Sequence, residues 1–296
     1  MLLTKNLKIE ATASDFCGSA VKISGVYPFD AKKTLTCGQC FRFDETEDGE
    51  GVFEGVALGK YIRVSLPDEN TALFEGVRVE EADDFIRYFD LDFDYGQIVD
   101  MTGECFGRES LIYHAAAAGR GIHIMRQDSW EALASFIISQ NNNIPRIKGI
   151  IERLSRSLGE PIGGKKYAFP TASAVSAAGI GALSPARMGF RDKYLCGAAE
   201  RVTSEPDFLF RVSRADFETA DSMLRTIRGV GAKVSACTLL FGFGHKEAFP
   251  VDVWIKRSIG KYFGTSLPEK IDFGELAPYA GVLQQYIFDF ERNGQV

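Results

Sequence analysis

The hydrophobic period of this chain changes once, and that change limits the folds open to it. Before about residue 80, short apolar runs rich in β-branched and aromatic residues are separated by glycine or Asp-Gly: CFRF at 40–43, VFEGVAL at 52–58, YIRVSL at 61–66 and TALFEGV at 71–77. Glu47-Asp48-Gly49 and Gly59-Lys60 are expected as hairpin turns between strands. From about residue 105 the apolar positions recur at helical spacing. Asp128 with Glu131 makes a capping-box-like start, and Trp130, Leu133, Ala134, Ile137 and Ile138 form one apolar face. Asn143 is expected to cap a second helix with Pro145 in its first turn. Further helices are expected near 187–202, 215–228, 233–243, 252–263 and 276–292, with 159–186 a connection or short helices. The expected fold class is α+β: an antiparallel β domain over residues 1–104, then an all-helical body over 105–296.

Composition permits such a core. Of 296 residues, 45% are hydrophobic and 25% charged, which excludes a disordered or collagen-like chain. No apolar run approaches the roughly 20 residues that span a bilayer, and Lys5 falls too early for a signal peptide. A cytoplasmic location, or a nuclear one in a nucleated cell, is therefore expected rather than secretion. Six dispersed cysteines fit a reducing compartment. Cys37 and Cys40 form a C-x-x-C, but His114, His123 and His245 are scattered and no second ligand pair accompanies it. Neither a metal nor another cofactor is expected.

The net charge of −6 argues at first against a nucleic-acid partner. The acid is local, however. Residues 80–94 hold seven acids and one base, Arg87, so the rest of the chain is neutral on balance. Residues 141–166 hold six bases against two acids, a segregated field that can steer a polyanion to one face. The acidic run is expected to be a solvated helix linking the two domains.

The most informative stretch is Leu224-Arg225-Thr226-Ile227-Arg228-Gly229-Val230-Gly231-Ala232-Lys233-Val234-Ser235-Ala236-Cys237. One apolar helix is stopped by Gly-Val-Gly and another starts at once, a hairpin expected over about 216–244. Its glycines allow a tight turn, and its exposed amides can hold a phosphate without a cationic side chain. Lys233 lies in the first turn of the second helix, where the helix dipole and the apolar setting of Leu224, Val230 and Val234 disfavour an ammonium. A neutral amine there could attack a sugar C1′. Nineteen residues later, Phe249-Pro250-Val251-Asp252-Val253 opens a helix; Asp252 can cap it and also stabilise an oxocarbenium-like sugar.

This combination resembles the helix-hairpin-helix DNA glycosylases with a Gly/Pro-rich loop and an aspartate, in which the lysine marks the bifunctional members. Three further segments narrow the resemblance to the 8-oxoguanine DNA glycosylase/lyases. Leu35-Thr36-Cys37-Gly38-Gln39-Cys40-Phe41-Arg42-Phe43 is similar to the family's L-x-x-G-Q-x-F-R-W. Ser135 to Ile147 (SFIISQNNNIPRI) is similar to S-F-I-x-S-x-N-N-N-I-x-R-I, and Pro278 to Phe288 resembles a P-Y-A-G…Q…F helix. The matched segments run from about 35 to 288 in the family's order.

The resemblance implies a TBP-like N-terminal sheet and a helical glycosylase body. It implies Lys233 as nucleophile and Asp252 as the essential carboxylate, with 8-oxoguanine excised opposite cytosine and the strand then cleaved by β-elimination. Gly38, Cys237, Gln284 and Phe288 would bind the extruded base. Asn141, Arg146, Phe190, Arg191, Gly229, Val230 and Gly231 would bind DNA, Phe190 standing where the family usually has a tyrosine wedge. Trp254 departs from a commonly seen phosphate-touching histidine. The implied partner is damaged double-stranded DNA, met by a monomer without a membrane. Two other readings are carried: a monofunctional alkylated-base glycosylase, and a non-catalytic hairpin-bearing DNA-binding module.

Overall fold

The structure, a computed structural model, describes residues 4–47, 49–265 and 267–293. Strands β1 (Lys8–Thr12) and β2 (Ala20–Ser24), helix α1 (Ala31–Thr36), and strands β3 (Phe43–Glu45), β4 (Phe53–Ala57), β5 (Lys60–Asp68) and β6 (Thr71–Glu75) build the first part. The strands form one antiparallel sheet in the order β1-β2-β6-β5-β4-β3. Its register puts Val21 opposite Phe74 and Val64 opposite Phe53, so the alternating apolar residues share one buried face. The β4–β5 turn is Leu58-Gly59 rather than Gly59-Lys60: both have positive φ, and Ala57 pairs directly with Lys60. Asp48, in the other expected turn, lies outside the described residues.

Helices begin earlier than the periodicity suggests. Helix α2 (Ala82–Phe89) takes only Asp83 and Asp84 of the seven acids at 80–94, and it does not link domains as a solvated rod. Ala82, Phe85, Tyr88 and Phe89 are buried against the sheet, Phe74 and Phe89 rings lying 5.1 Å apart, while Asp83 and Asp84 face outward. The charges hid an amphipathic helix because they fill only its outer stripe. Helix α3 (Tyr95–Phe106) follows, and residue 104, the expected end of the β domain, falls inside it.

The helical part continues with α4 (Leu111–Ala118), α5 (Ser129–Ser139) and α6 (Ile144–Leu158). Asp128 caps α5 and Asn143 caps α6, each side chain accepting from the backbone N–H three residues on. A short hairpin of β7 (Pro161–Gly163) and β8 (Lys166–Tyr167) leads to α7 (Ala172–Ala182), α8 (Asp192–Ser204) and α9 (Phe208–Arg214). Helix α10 (Phe217–Arg225) and α11 (Ala232–Thr238) form the glycine-broken hairpin, α11 running on as a π-turn over Leu239–Phe243. Finally come α12 (Val253–Phe263) and α13 (Ala280–Arg292). Helix α5 is buried over Trp130 and Ala132–Ile138 and forms the floor on which the hairpin packs, Phe136 stacking on Phe241 at 5.5 Å. Among the described residues no helix is long and apolar enough to cross a membrane.

Candidate active site

The hairpin turn needs its first glycine for two reasons. Gly229 has φ +91°, and a Cβ there would sit 2.4 Å from Cγ of Tyr194. Gly231 caps α11, and a Cβ there would meet nothing within 4 Å, so that side of the turn is open. Val230 departs from expectation. Its side chain is buried in the core with Leu224, Ile227 and Val234, and its N–H bonds to the Ile227 carbonyl. An apolar residue between two tight glycines is pulled inward, leaving the glycine backbone on the surface.

Lys233, half-buried in the first turn of α11, lays its amine 5.2 Å from the Phe136 ring centroid and 3.4 Å from Ser139 Oγ. The apolar wall beside it includes Phe136 of α5, and Val234 lines the same groove; Leu224 and Val230 are buried in the core behind them. Asp252 caps α12, its Oδ1 accepting from Ile255 N–H at 2.8 Å. Lys233 and Asp252 line one pocket with Gly38, Phe136, Cys237, Phe241, Pro250, Gln284, Gln285 and Phe288. That pocket is small, about 50 Å³, well under the roughly 300–1,000 Å³ of ligand sites. It opens into a groove walled by Gln140–Pro145, Gly231, Trp254 and Lys256.

The far wall carries donors and acceptors fixed from behind. Gly38, at φ +88°, follows α1, and a Cβ there would lie 3.2 Å from Ile144 Cδ1 and 3.4 Å from Phe288 Cε1. The loop is held by its neighbour. Gln39, fully buried, donates to His123 O at 2.7 Å and Thr34 O at 3.0 Å, and accepts from Met125 N–H at 2.9 Å. Gln285 donates to Cys37 O at 3.0 Å, tying α13 to the same loop. Next to it, Gln284 is 4% exposed and its Oε1 is buried without a hydrogen-bond partner. An orphaned buried carbonyl costs about 1–3 kcal/mol, and it leaves Gln284 free to accept from a donor placed in the pocket. Cys237, four residues after Lys233, has its thiol pushed up by burial, the Lys233 side chain acting the other way.

Around the groove, Asn141 has φ +47° and stands exposed in the turn between α5 and α6. Arg146 is exposed and free of an ion pair among the described residues. Arg191 differs: it is 3% exposed, and its guanidinium donates to the backbone carbonyls of Gln140, Asn141 and Met188. Phe190, 46% exposed, stacks under that guanidinium at 4.4 Å and meets Tyr194 edge-on. Trp254 is exposed on the groove wall.

Reading the residues singly missed Gln39, Gln285, Ser139 and Phe136. Gln39 and Gln285 carry no local signal, because an amide that staples two segments is indistinguishable in sequence from a solvated one. Cys37 and Cys40 are free buried thiols, Cys37 pushed up to about 12 by burial. Among the described residues no cluster of three or more His, Cys, Asp or Glu could hold a metal ion.

A lysine at the mouth of a glycine-broken hairpin, sharing a pocket with a capping aspartate, defines a DNA glycosylase of the helix-hairpin-helix class. Residues 23–133 match the N-terminal domain of 8-oxoguanine DNA glycosylase. The solved structure of MBOgg1 in complex with a low-affinity DNA ligand is 35% identical, with a TM-score of 0.88 over 98% of this chain and 100% of that one. The 8-oxoguanine glycosylase/lyase of Clostridium acetobutylicum, in complex with DNA containing cytosine opposite 8-oxoG, is 32% identical, with a TM-score of 0.86 over 98% and 99%. The N-glycosylase/DNA lyase OGG1 of Arabidopsis thaliana is 29% identical over 60% of this chain, which spans about half of that relative (53%). The chain belongs to the 8-oxoguanine DNA glycosylase family.

Proposed function

We propose that this chain excises 8-oxoguanine opposite cytosine in duplex DNA and then cleaves the strand at the emptied sugar. The observation that carries this reading is one pocket holding an amine and a carboxylate on one wall and an unpaired amide carbonyl on the other. A guanine-type edge offers N–H donors to Gln284 Oε1. The Gly38 carbonyl accepts from N7–H of 8-oxoguanine; normal guanine has no hydrogen there, so two acceptors would face each other. Cys237 and Phe288 close on the faces of the base. In this reading the β domain of residues 1–104 contributes Gly38, and the helical body contributes the rest.

Lys233 Nζ attacks C1′ as the bond to the base breaks, and the base leaves with the electron pair. Asp252 keeps one oxygen on its own helix and has the other for the positive charge that develops on the sugar. The C1′–O4′ bond then opens, O4′ taking up a proton as the nitrogen lone pair forms the C=N bond of a Schiff base, and loss of a C2′ proton expels the 3′ phosphate. Asn141 fills the gap left by the base, Phe190 replaces lost stacking, and Arg146 and Arg191 face the orphaned cytosine. The backbone at Gly229 and Gly231 takes a phosphate. Trp254 offers one N–H and no charge to the strand.

Borohydride trapping on an 8-oxoguanine:cytosine duplex tests the proposal. A covalent adduct lost in Lys233→Gln supports it. An undiminished adduct in that variant, or release of 3-methyladenine without nicking, overturns it.

A further inference from the structure

A second cavity lies between the sheet and the helical body, apart from the pocket of Lys233. Its volume is about 310 Å³, within the range of small-molecule sites. Arg42, from the loop ahead of β3, and Lys166, from β8, both line it, with Phe41, Val56 and Ile151 as apolar wall. Two acids share the lining, and each already has a cation. Asp44 Oδ1 accepts from Lys148 Nζ at 2.8 Å, and Glu152 pairs with Arg156 at 3.4 Å. Lys166 pairs with no carboxylate among the described residues, its amine lying 5.9 Å from the Tyr61 ring centroid. The turn before it is pinned to the sheet, because a Cβ at Gly164 would run into the same ring.

Arg42 is the more telling group. Its side chain is 6% exposed, yet among the described residues it donates one hydrogen bond, from Nη2 to the Tyr167 carbonyl. Nη1 is buried without a hydrogen-bond partner, and Glu131 Oε1, 3.8 Å from it, is an ion-pair neighbour beyond hydrogen-bond reach. A guanidinium has five N–H groups, and a buried charged donor left unmatched is costly, so an oxyanion entering the cavity relieves it. Two uncommitted cations suit a dianion better than a monoanion, and a phosphate monoester carries about −1.5 to −2 charges at neutral pH. We infer that this cavity binds a small phosphate monoester, its oxyanion held by Arg42 and Lys166 and its body laid on Phe41, Val56 and Ile151. Such an occupant bridges the sheet to α6 and β8, and it shares the Phe41 wall with the active-site groove.

The experiment is a titration of the full chain, without DNA, by phenyl phosphate and by inorganic phosphate, followed through the backbone amide resonances. Phenyl phosphate should shift the amides of residues 42–44, 148–152 and 166–167 in a saturable way, with a dissociation constant on the order of 1 mM. Inorganic phosphate should bind the same residues about threefold or more weakly, because it buries no apolar body. Lys166→Glu should weaken phenyl phosphate about tenfold or more, since it reverses a charge on the ligand. Lys165→Glu makes the same charge change one residue away, at an exposed side chain outside the lining, and should stay within about twofold. Arg42→Met should abolish the response; if that variant does not fold, the two lysine variants decide. The inference is overturned if those amides do not respond, or if shifts are confined to the hairpin turn at 229–231. Equal weakening by the two lysine variants, or inorganic phosphate binding as tightly as phenyl phosphate, also overturns it.

Discussion

Asp90 and Lys246 form an ion pair of 2.8 Å that joins the end of α2 to the segment between α11 and α12, with the carboxylate fully withdrawn from water. Arg126 meets the other oxygen at 2.6 Å and Tyr95 OH donates at 2.6 Å. Burial lowers the pKa of Lys246, Asp90 opposing it. Lys246 lies between the helix of Lys233 and the cap of Asp252, so the pair also fixes their relative placement.

Removing one side of such a cluster leaves buried charge uncompensated, at about 3–5 kcal/mol. Asp90→Asn should cost that much, since two cations lose their partner. Lys246→Met should cost less, because Arg126 still pairs with Asp90. Denaturant midpoints of the two variants decide it; an equal or reversed order would show that Arg126 does not share the charge.

Asp252 has two tasks that a pair of substitutions can separate. Asparagine caps a helix about as well as aspartate but carries no charge, whereas alanine does neither, at about 1 kcal/mol for the lost cap. Asp252→Asn should unfold at nearly the original midpoint and excise about 100-fold more slowly or worse. Asp252→Ala should lose both stability and rate. Rapid excision by the asparagine variant would leave the carboxylate a cap alone.

Gln284 carries a buried carbonyl with nothing to accept from in the free protein. Gln284→Met should therefore leave stability unchanged or raise it by up to about 1 kcal/mol, while excision of 8-oxoguanine falls steeply. Thermal unfolding beside single-turnover rates gives both numbers. A clear loss of stability would mean that the amide is structural.

Glu131, in the first turn of α5, has its pKa raised to about 7 by burial, with Arg42 3.8 Å away opposing the rise. The folded protein thus binds this proton more tightly than the unfolded chain does. Its contribution is fully present below the unfolded value near 4.5 and is lost as pH rises through about 7. Its side chain stays 17% exposed, so the effect should be on the order of 2 kcal/mol. Urea titrations at pH 5 and pH 8 should show Glu131→Gln narrowing the gap between the two; an unchanged gap would place the titration elsewhere.

What could be read in the chain itself was local. Asp128, Asn143 and Asp252 cap helices because a short polar side chain bonds a backbone N–H three residues on, and no distant partner is needed. The change of period, the glycine-broken hairpin and the spacing of Lys233 to Asp252 were legible for the same reason. Tertiary structure decided what depends on approach from afar. Gln285 reaches Cys37 across 248 residues, which seats α13 and its neighbour Gln284 against the Gly38 loop. Of the acidic run, Asp83 and Asp84 became the outer stripe of a helix packed on the sheet while Asp90 was drawn into a buried ion pair, and Arg191 became a brace instead of a free cation, since burial and partners are set by packing that a side chain's identity does not encode.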